Sequence, residues 1–209
     1  MLIPFKDIVR KYGTPDGILH IGANIGEEAQ AYHENGVEKV VWFEGNPELY
    51  DKLNANISKY PGQIAYNGCI GDYDGDAILH ISNNGSQSSS VLELGTHKIA
   101  HPEVHYVKDL PVKMNRIDTL FPWGMEGSLS GCDFLNIDLQ GFELPALKGM
   151  SNLLYKFKYA YLEVNKDHLY KGCALIGEID DYMKDFRFKR VETKWSGNSG
   201  WGDALYIKK

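Results

Sequence analysis

The sequence predicts an α/β fold in which helices cover both faces of a mostly parallel sheet. The first indication is an apolar segment, 18–21, that runs directly into a turn containing glycines and then into a helix-like segment. The second is a set of apolar segments that end in an acid, as strands do at the ligand-binding edge of a parallel sheet; these acids are Glu44, Asp138 and Glu163. The third is a pair of alternating segments, 186–194 and 203–208, which predict an antiparallel end to the sheet.

Helices and strands alternate along the first half of the chain. Residues 3–13 carry apolar side chains at helical spacing and stop at Gly13. The next predicted helix, 27–35, ends at Gly36, and a third begins at Pro47, a residue suited to the first helical position. Strands are predicted at 18–21, 40–43, 64–70 and 77–81, the last two joined by a turn through 71–75.

Residues 82–131 form the least regular part of what we expect to be a single domain, 1–209, and we interpret them as a substrate-side insertion. His97, His101 and His105 lie there at four-residue spacing, but Pro102 interrupts it, so solvated histidines are favoured over a metal site. The remaining predicted elements are strands at 110–114, 133–138 and 159–164, helices at 116–121 and 175–186, and a helix entered through 139–143.

Composition excludes several classes of protein. The 209 residues, 43% of them hydrophobic, can bury a full core. No apolar run is long enough to span a bilayer or to serve as a signal peptide, which predicts a cytoplasmic protein. The three cysteines lack paired spacing and are expected to be reduced core residues. A net charge of −6 without a basic cluster disfavours a nucleic-acid partner.

The turn after the first strand has the composition of a ligand-binding loop. Gly22 and Gly26 suit a direct strand-to-helix turn, where a ligand touching the backbone leaves no room for a β-carbon. The next strand ends at Glu44, where a dinucleotide-binding fold places the acid that binds a ribose. The sequence therefore predicts an adenosine-type ligand.

The residues of this turn favour S-adenosylmethionine (SAM) over NAD. Asn24 occupies the position of the middle glycine that lets a backbone approach a pyrophosphate. Glu27 and Glu28 follow, and two carboxylates would repel a pyrophosphate but attract a ligand with sulfonium and ammonium charges.

Five segments, in the same order along nearly the whole chain, resemble the FkbM-type methyltransferases. They are 20–26, 43–44, the serines near Ser88, 136–143 and 201–205. The resemblance implies a Rossmann-like class I methyltransferase fold, with a central seven-stranded sheet that has one antiparallel strand. It also implies methyl transfer from SAM, typically to an oxygen of a sugar or a secondary metabolite.

The resemblance also implies roles for individual residues. Gly22, Ala23, Asn24 and Gly26 would line the methionine end of SAM, and Glu44 would hold the ribose hydroxyls. Cys69 and Ile70 would flank the adenine, while Asp138 and Gln140 would lie near the transferred methyl group. This sequence departs from the family pattern at Gly45, where proline is common, and the departure bears on the geometry of the ribose loop.

A hydroxyl acceptor has to lose its proton during methyl transfer. Asp138 is the main candidate for a base or orienting residue, with Gln140 positioning the acceptor. His168, after the strand that ends in Glu163, is a weaker candidate for the base. A Mg²⁺ ion held by Asp138, Glu163 and Asn165 is a less favoured alternative. The chain lacks the Asn/Asp-Pro-Pro-aromatic segment associated with methylation of nucleobase amines, which disfavours that activity.

The acceptor is expected to be a sugar, a glycan or another small metabolite. Its candidate contacts are Ser88, Ser89, Glu163, Asn165 and Trp201. Two other functions remain open, a SAM-binding protein without catalysis and, less favoured, an NAD-dependent oxidoreductase. The sequence does not predict an oligomeric state.

Overall fold

The computed structural model describes residues 1–125 and 127–209, with Ala100 described by its backbone. The strands are β1 Ile18–Ile21, β2 Val40–Glu44, β3 Gln63–Asn67, β4 Cys69–Ile70, β5 Gly75–Ser82, β6 Tyr106–Asn115, β7 Phe134–Ile137, β8 Tyr159–Asn165, β9 Phe188–Trp195 and β10 Trp201–Lys208. The helices are α1 Phe5–Tyr12, α2 Ala29–Glu34, α3 Pro47–Ile57, α4 His97–Ala100, α5 Ile117–Leu120, α6 Glu143–Met150 and α7 Ile176–Asp185, with 3-10 turns at Gly127–Leu129 and Ser151–Lys156.

Within the described ranges, seven strands form the central sheet in the order β3-β2-β1-β7-β8-β10-β9. Strand β1 pairs in parallel with β2 and β7, so that Ile21 lies between Phe43 and Ile137. Strand β10 is antiparallel to both of its neighbours, β8 and β9. The predicted seven-stranded, mostly parallel sheet with one antiparallel strand is confirmed.

Alternate residues of the central strands pack on opposite faces of the sheet, because successive side chains of a strand point in opposite directions. On one face, Leu19 and Ile21 belong to a cluster that includes Ala146 and Leu147 of α6 and Ile179 and Met183 of α7. On the other face, Ile18 belongs to a cluster that includes residues of α1, α2 and α3. Helices therefore cover both faces, and the strands read as continuous apolar segments.

The predicted strand 64–70 is divided in the structure. Strand β3 ends at Asn67, and after Gly68 the chain joins a second sheet, in which β4 and β5 flank β6. The N–H of Gly68 donates to the carbonyl of Glu44, and Cys69 then pairs with Met114 of β6. Strand β6 is longer than predicted, since hydrophobicity marks only its partly buried end.

Three further features complete the fold. Helix α2 begins at Ala29, so Glu27 and Glu28 lie in the turn before it rather than in its first turn. The cysteines Cys69, Cys132 and Cys173 are buried free thiols. In the described part of the chain, every helix is too short or too polar to cross a membrane.

Candidate functional site

A cavity of about 570 Å³ lies at the carboxyl-terminal ends of β1, β2, β7 and β8. Its wall includes residues that follow or end these strands, namely Gly22, Glu44, Asp138 and Glu163. Pockets for small ligands typically enclose about 300–1,000 Å³, and in open α/β sheets they lie at this edge.

The glycine turn is shaped by the protein's own backbone. Gly22 has a φ of +84°, and a β-carbon there would lie 1.8 Å from the carbonyl oxygen of Asp138. The N–H groups of Gly22 and Ala23 donate to the carbonyl of Phe43, and the N–H of Asn24 donates to Glu44. Because these amides are already hydrogen-bonded, the turn does not offer them to a phosphate.

Glu44 is buried beside this turn and links it to the start of α3. One carboxylate oxygen accepts the N–H of Asn24 and the other accepts the N–H of Asn46, each at 2.8 Å. Burial raises the pKa of Glu44 to about 7, although these N–H groups favour the charged form. Each oxygen keeps a second lone pair that can accept a ligand hydroxyl.

The wall next to Glu44 is apolar. Cys69 and Ile70 are both buried and line the cavity together with Leu79, Met114 and Phe142. A β-carbon at Gly45 would lie 2.4 Å from the sulfur of Cys69. The departure from proline at position 45 is thus matched by the cysteine at position 69.

Three carboxyl groups meet where β7 and β8 end. In the described residues, oxygens of Asp138, Glu143 and Glu163 lie within 4.8 Å of one another. Burial raises the pKa of Glu143 to about 7, and its Oε1 accepts the N–H groups of Leu139 and Gly141 at 2.8 and 3.1 Å. Burial, followed by the charge of Asp138, raises the pKa of Glu163 well above its usual value.

The side-chain amide of Gln140 connects the carboxyl groups of Asp138 and Glu163 to the hydroxyl of Tyr170. Its Nε2 donates to Asp138 Oδ1 at 2.7 Å and to Glu163 Oε2, and its Oε1 accepts the hydroxyl of Tyr170 at 2.6 Å. The carbonyl of Gln140 accepts the Ser90 hydroxyl at 2.9 Å. In this arrangement Gln140 positions protein groups around Asp138, whereas Asp138 is exposed to the cavity.

The sequence profile of the Methyltransferase FkbM domain matches residues 20–190. The chain belongs to this family. The FkbM resemblance carried by the glycine turn and by 136–143 is therefore confirmed, and the matched range contains the glycine turn, Glu44, the three carboxyl groups and Gln140.

A relative of this FkbM-family chain is the hexuronic acid methyltransferase AglP of Haloferax volcanii. The two are 26% identical over 165 residues, which make up 77% of this chain and 62% of that protein. The chain thus matches less than two thirds of the length of that relative.

Two solved structures share the fold. Magnesium protoporphyrin IX methyltransferase from Synechocystis PCC 6803, determined with bound SAH, matches with a TM-score of 0.55 and 8% identity over 98% of this chain and 79% of that chain. A SAM-dependent methyltransferase from Aquifex aeolicus matches with a TM-score of 0.51 and 12% identity over 98% and 89% of the two chains. At these identities the likeness concerns the fold alone.

The structure brings most of the predicted site residues of the FkbM-family chain to one cavity. Ser88, Ser89 and Trp201 line it as well. His168, Asn165 and Gly26 are absent from the part of the wall formed by described residues. A β-carbon at Gly26 would lie 2.6 Å from the side chain of Leu53, so this glycine is required by the packing of α3. The Nδ1 of His168 contacts the carbonyl of Cys173 at 3.0 Å, and the amide of Asn165 is buried without a hydrogen-bond partner among the described residues.

Other residues in or beside the cavity were not predicted from the sequence. Glu143 is buried and is absent from the described cavity wall, but it lies next to Asp138 and Glu163, in the carboxyl cluster that the magnesium hypothesis completed with Asn165. His97, His101 and Tyr170 line the cavity. The four-residue spacing of the histidines was visible in the sequence, but it did not indicate that His97 would be buried.

Proposed function

We propose that this protein transfers the methyl group of SAM to an oxygen atom of a sugar, a glycan or another small metabolite. The observation that carries the proposal is the shared cavity edge, where the glycine turn, Glu44 and Asp138 lie together at the ends of adjacent strands. Family membership supports methyl transfer, and the acid at the end of β2 supports an adenosine-type ligand.

The chemistry of the cavity wall fits SAM. Glu44 offers two carboxylate oxygens to the ribose hydroxyls, and Cys69 and Ile70 belong to an apolar wall suited to adenine. The turn from Gly22 to Gly26 would hold the methionine end, where Glu28 supplies negative charge. The internally bonded amides of the turn disfavour a pyrophosphate, and hence NAD.

When bound, SAM supplies a methyl group that its sulfonium has already activated for in-line displacement. The protein's task is to align the acceptor oxygen, exclude water and receive the hydroxyl proton. Asp138 is exposed to the cavity and its Oδ1 is held by Gln140, so it can orient the acceptor hydroxyl and accept its proton. Burial and the neighbouring Asp138 disfavour the charged form of Glu163.

The proposed acceptor class draws support from the Haloferax volcanii relative, whose name gives a hexuronic acid as its substrate. Polar groups at 84–90 and the indole of Trp201 line the same cavity, and such groups suit the polar edges and the apolar face of a sugar ring. A Mg²⁺ ion held by the carboxyl cluster stays a competing hypothesis for lowering the pKa of the acceptor hydroxyl.

Calorimetric titration with SAM, S-adenosylhomocysteine and NADH tests the proposal. We expect the first two to bind, and we expect Glu44→Ala to weaken their binding by about tenfold or more, since a hydrogen bond to a charged group contributes about 1.5–3 kcal/mol. Glu44→Gln keeps one carbonyl oxygen, so its affinity for these ligands should lie between those of the wild type and Glu44→Ala. Glu48→Gln, with a side chain that is 76% exposed, is the matched control.

Binding of NADH alone would overturn the proposal. Unchanged affinity for S-adenosylhomocysteine in Glu44→Ala would remove Glu44 from the site. Thermal unfolding of each variant separates a lost ligand contact from a lost fold, because Glu44 also holds the backbone at Asn24 and Asn46.

A further inference from the structure

The cavity wall contains a pair of histidines, which come from the segment between β5 and β6. The rings of His97 and His101 have their centroids 5.0 Å apart, and the ring of Tyr170 lies 5.5 Å from that of His97. All three side chains line the cavity. Glu103 approaches His101 from outside the pair, with its Oε1 3.7 Å from His101 Nδ1.

His97 is the buried member of the pair. Its side chain lines the cavity although the residue is only 5% exposed, and its Nδ1 has no hydrogen-bond partner among the described residues. Burial, followed by the neighbouring His101, lowers the pKa of His97, so its imidazole is neutral at neutral pH. A neutral imidazole has one N–H donor and one nitrogen acceptor, and leaving a buried polar atom unpaired costs about 1–3 kcal/mol.

The backbone fixes the position of this side chain. The N–H groups of Gly95 and His97 donate to the carbonyl of Leu169 at 2.7 and 3.2 Å, and the N–H of Thr96 donates to the carbonyl of His168 at 3.0 Å. A β-carbon at Gly95 would lie 2.3 Å from the carbonyl oxygen of His168. The glycine therefore lets α4 dock on the segment after β8, which places His97 at the cavity before any ligand binds.

Three other polar side chains of the cavity wall already have partners within the protein. The Tyr170 hydroxyl donates to Gln140, the Ser88 hydroxyl accepts the amide of Asn84 at 2.9 Å, and the Ser89 hydroxyl accepts the N–H of Ser82 at 3.0 Å. The unpartnered nitrogen of His97 thus distinguishes it from its neighbours.

We propose that His97 recognises the acceptor by exchanging hydrogen bonds with a hydroxyl group of a sugar ring, a different hydroxyl from the one presented to Asp138. This inference rests on the proposed methyl transfer and adds a specificity-determining residue to it. The ring of Tyr170 packs beside the imidazole of His97, and its hydroxyl donates to Gln140, which in turn contacts Asp138.

The test is methylation of a panel of methyl glycosides of hexoses, 6-deoxyhexoses and hexuronic acids by the full chain with SAM. His97→Leu should raise the KM of the accepted glycoside about threefold to tenfold, as expected for a lost hydrogen bond. It should leave the affinity for S-adenosylhomocysteine unchanged. His97→Asn, whose amide lies near the former Nδ1, should restore much of the KM. His105→Asn, an exposed histidine of the same segment, is the control.

An unchanged KM in folded His97→Leu would overturn the inference while leaving the proposed function intact, and weakened binding of S-adenosylhomocysteine would assign His97 to the cofactor instead. If wild-type protein methylates no glycoside, the sugar acceptor fails and the inference fails with it. Side-chain nitrogen NMR of wild-type His97 needs no variant. Its resonances should shift when the accepted glycoside is added, and constant resonances would overturn the inference.

Discussion

One side-chain amide organises the centre of the cavity. Gln140 hydrogen-bonds to Asp138, Glu163 and Tyr170, side chains that come from three different parts of the chain. Its φ is +52°, a left-handed conformation that costs a non-glycine residue about 1–2 kcal/mol. The hydrogen bonds of its side chain hold the turn in this conformation, so the geometry around Asp138 is set before ligands bind.

The substitution Asp138→Asn separates the effect of the charge of Asp138 from the effect of its size and shape. An asparagine keeps an oxygen for Gln140 but neither accepts the acceptor proton nor carries a negative charge, so we expect turnover to fall by about 100-fold or more. Affinity for S-adenosylhomocysteine should change little. The measurement is steady-state methylation alongside calorimetry, with Asp76→Asn, an aspartate whose side chain is 85% exposed, as the control.

Near wild-type turnover in Asp138→Asn would remove this carboxylate from the mechanism. Loss of wild-type activity on chelation, with recovery on adding Mg²⁺, would instead make the carboxyl cluster a metal site.

At the residue scale, the sequence could predict the groups that strands deliver to the cavity. Glu44 and Asp138 each follow an apolar segment, and a parallel sheet brings such positions to one edge. His97 and Tyr170 could not be predicted, because they meet only when α4 docks on the segment after β8, and no local pattern encodes that contact. Gly22 was predicted to leave room for a ligand, whereas the atom that a β-carbon at this position would meet is the carbonyl oxygen of Asp138.

Helix α6 approaches the second sheet closely enough to require a glycine. A β-carbon at Gly149 would lie 1.8 Å from the carbonyl oxygen of Gly71, the residue after β4. Gly177, in α7, has the opposite environment, since a β-carbon there would meet nothing within 4 Å. Both glycines are therefore helical, but only at Gly149 does a neighbouring segment occupy the space that a β-carbon would need.

Alanine substitutions at these two glycines should change stability in opposite directions. Alanine favours a helix over glycine by about 1 kcal/mol, so Gly177→Ala should raise the free energy of unfolding by about 0.5–1 kcal/mol. Gly149→Ala should lower it by about 1–3 kcal/mol, because α6 and the turn at Gly71 must separate. Urea unfolding measures both. Equal effects in the two variants would contradict the close approach of α6 to Gly71.

At the element scale, apolar periodicity located the strands but not the sheet to which each belongs. The segment 64–70 reads as one strand, yet Gly68 divides it between two sheets. The division depends on pairing with β6, more than 40 residues away in the sequence. Strand β6 itself is mostly exposed, so hydrophobicity marked only its buried end.

Across the whole molecule, three buried carboxyl groups link stability to pH. Burial raises the pKa of Glu44 and of Glu143 to about 7 each, and it raises that of Glu163 as well. Between pH 4.5, the ordinary pKa of a glutamate, and about pH 7, the folded protein keeps protons that the unfolded chain has released. The stability contributed by Glu44 and Glu143 therefore falls as the pH rises through this range and is lost above about pH 7. Buried His20 and His97, whose pKa values are lowered, act in the opposite direction at lower pH.

The substitution Glu143→Gln should reduce the loss of folding stability that occurs as the pH rises. A glutamine can keep the oxygen that accepts the N–H groups of Leu139 and Gly141, while it removes the titrating proton. We expect the variant to lose less stability than wild type between about pH 6.5 and pH 8, by on the order of 1 kcal/mol. Thermal unfolding across this range measures it, with Glu48→Gln as the control. Parallel pH profiles for wild type and Glu143→Gln would show that Glu143 is ionised throughout.

The packing of Gly45 against Cys69 also constrains how this chain could have diverged from relatives that carry proline at position 45. A β-carbon at Gly45, the residue after β2, and the sulfur of Cys69 in β4 would compete for the same space. A lineage that acquires proline at position 45 must first tolerate a smaller or displaced side chain at position 69. The order of the two mutations therefore matters, and ancestral sequences of the family should record changes at the two positions as a linked pair.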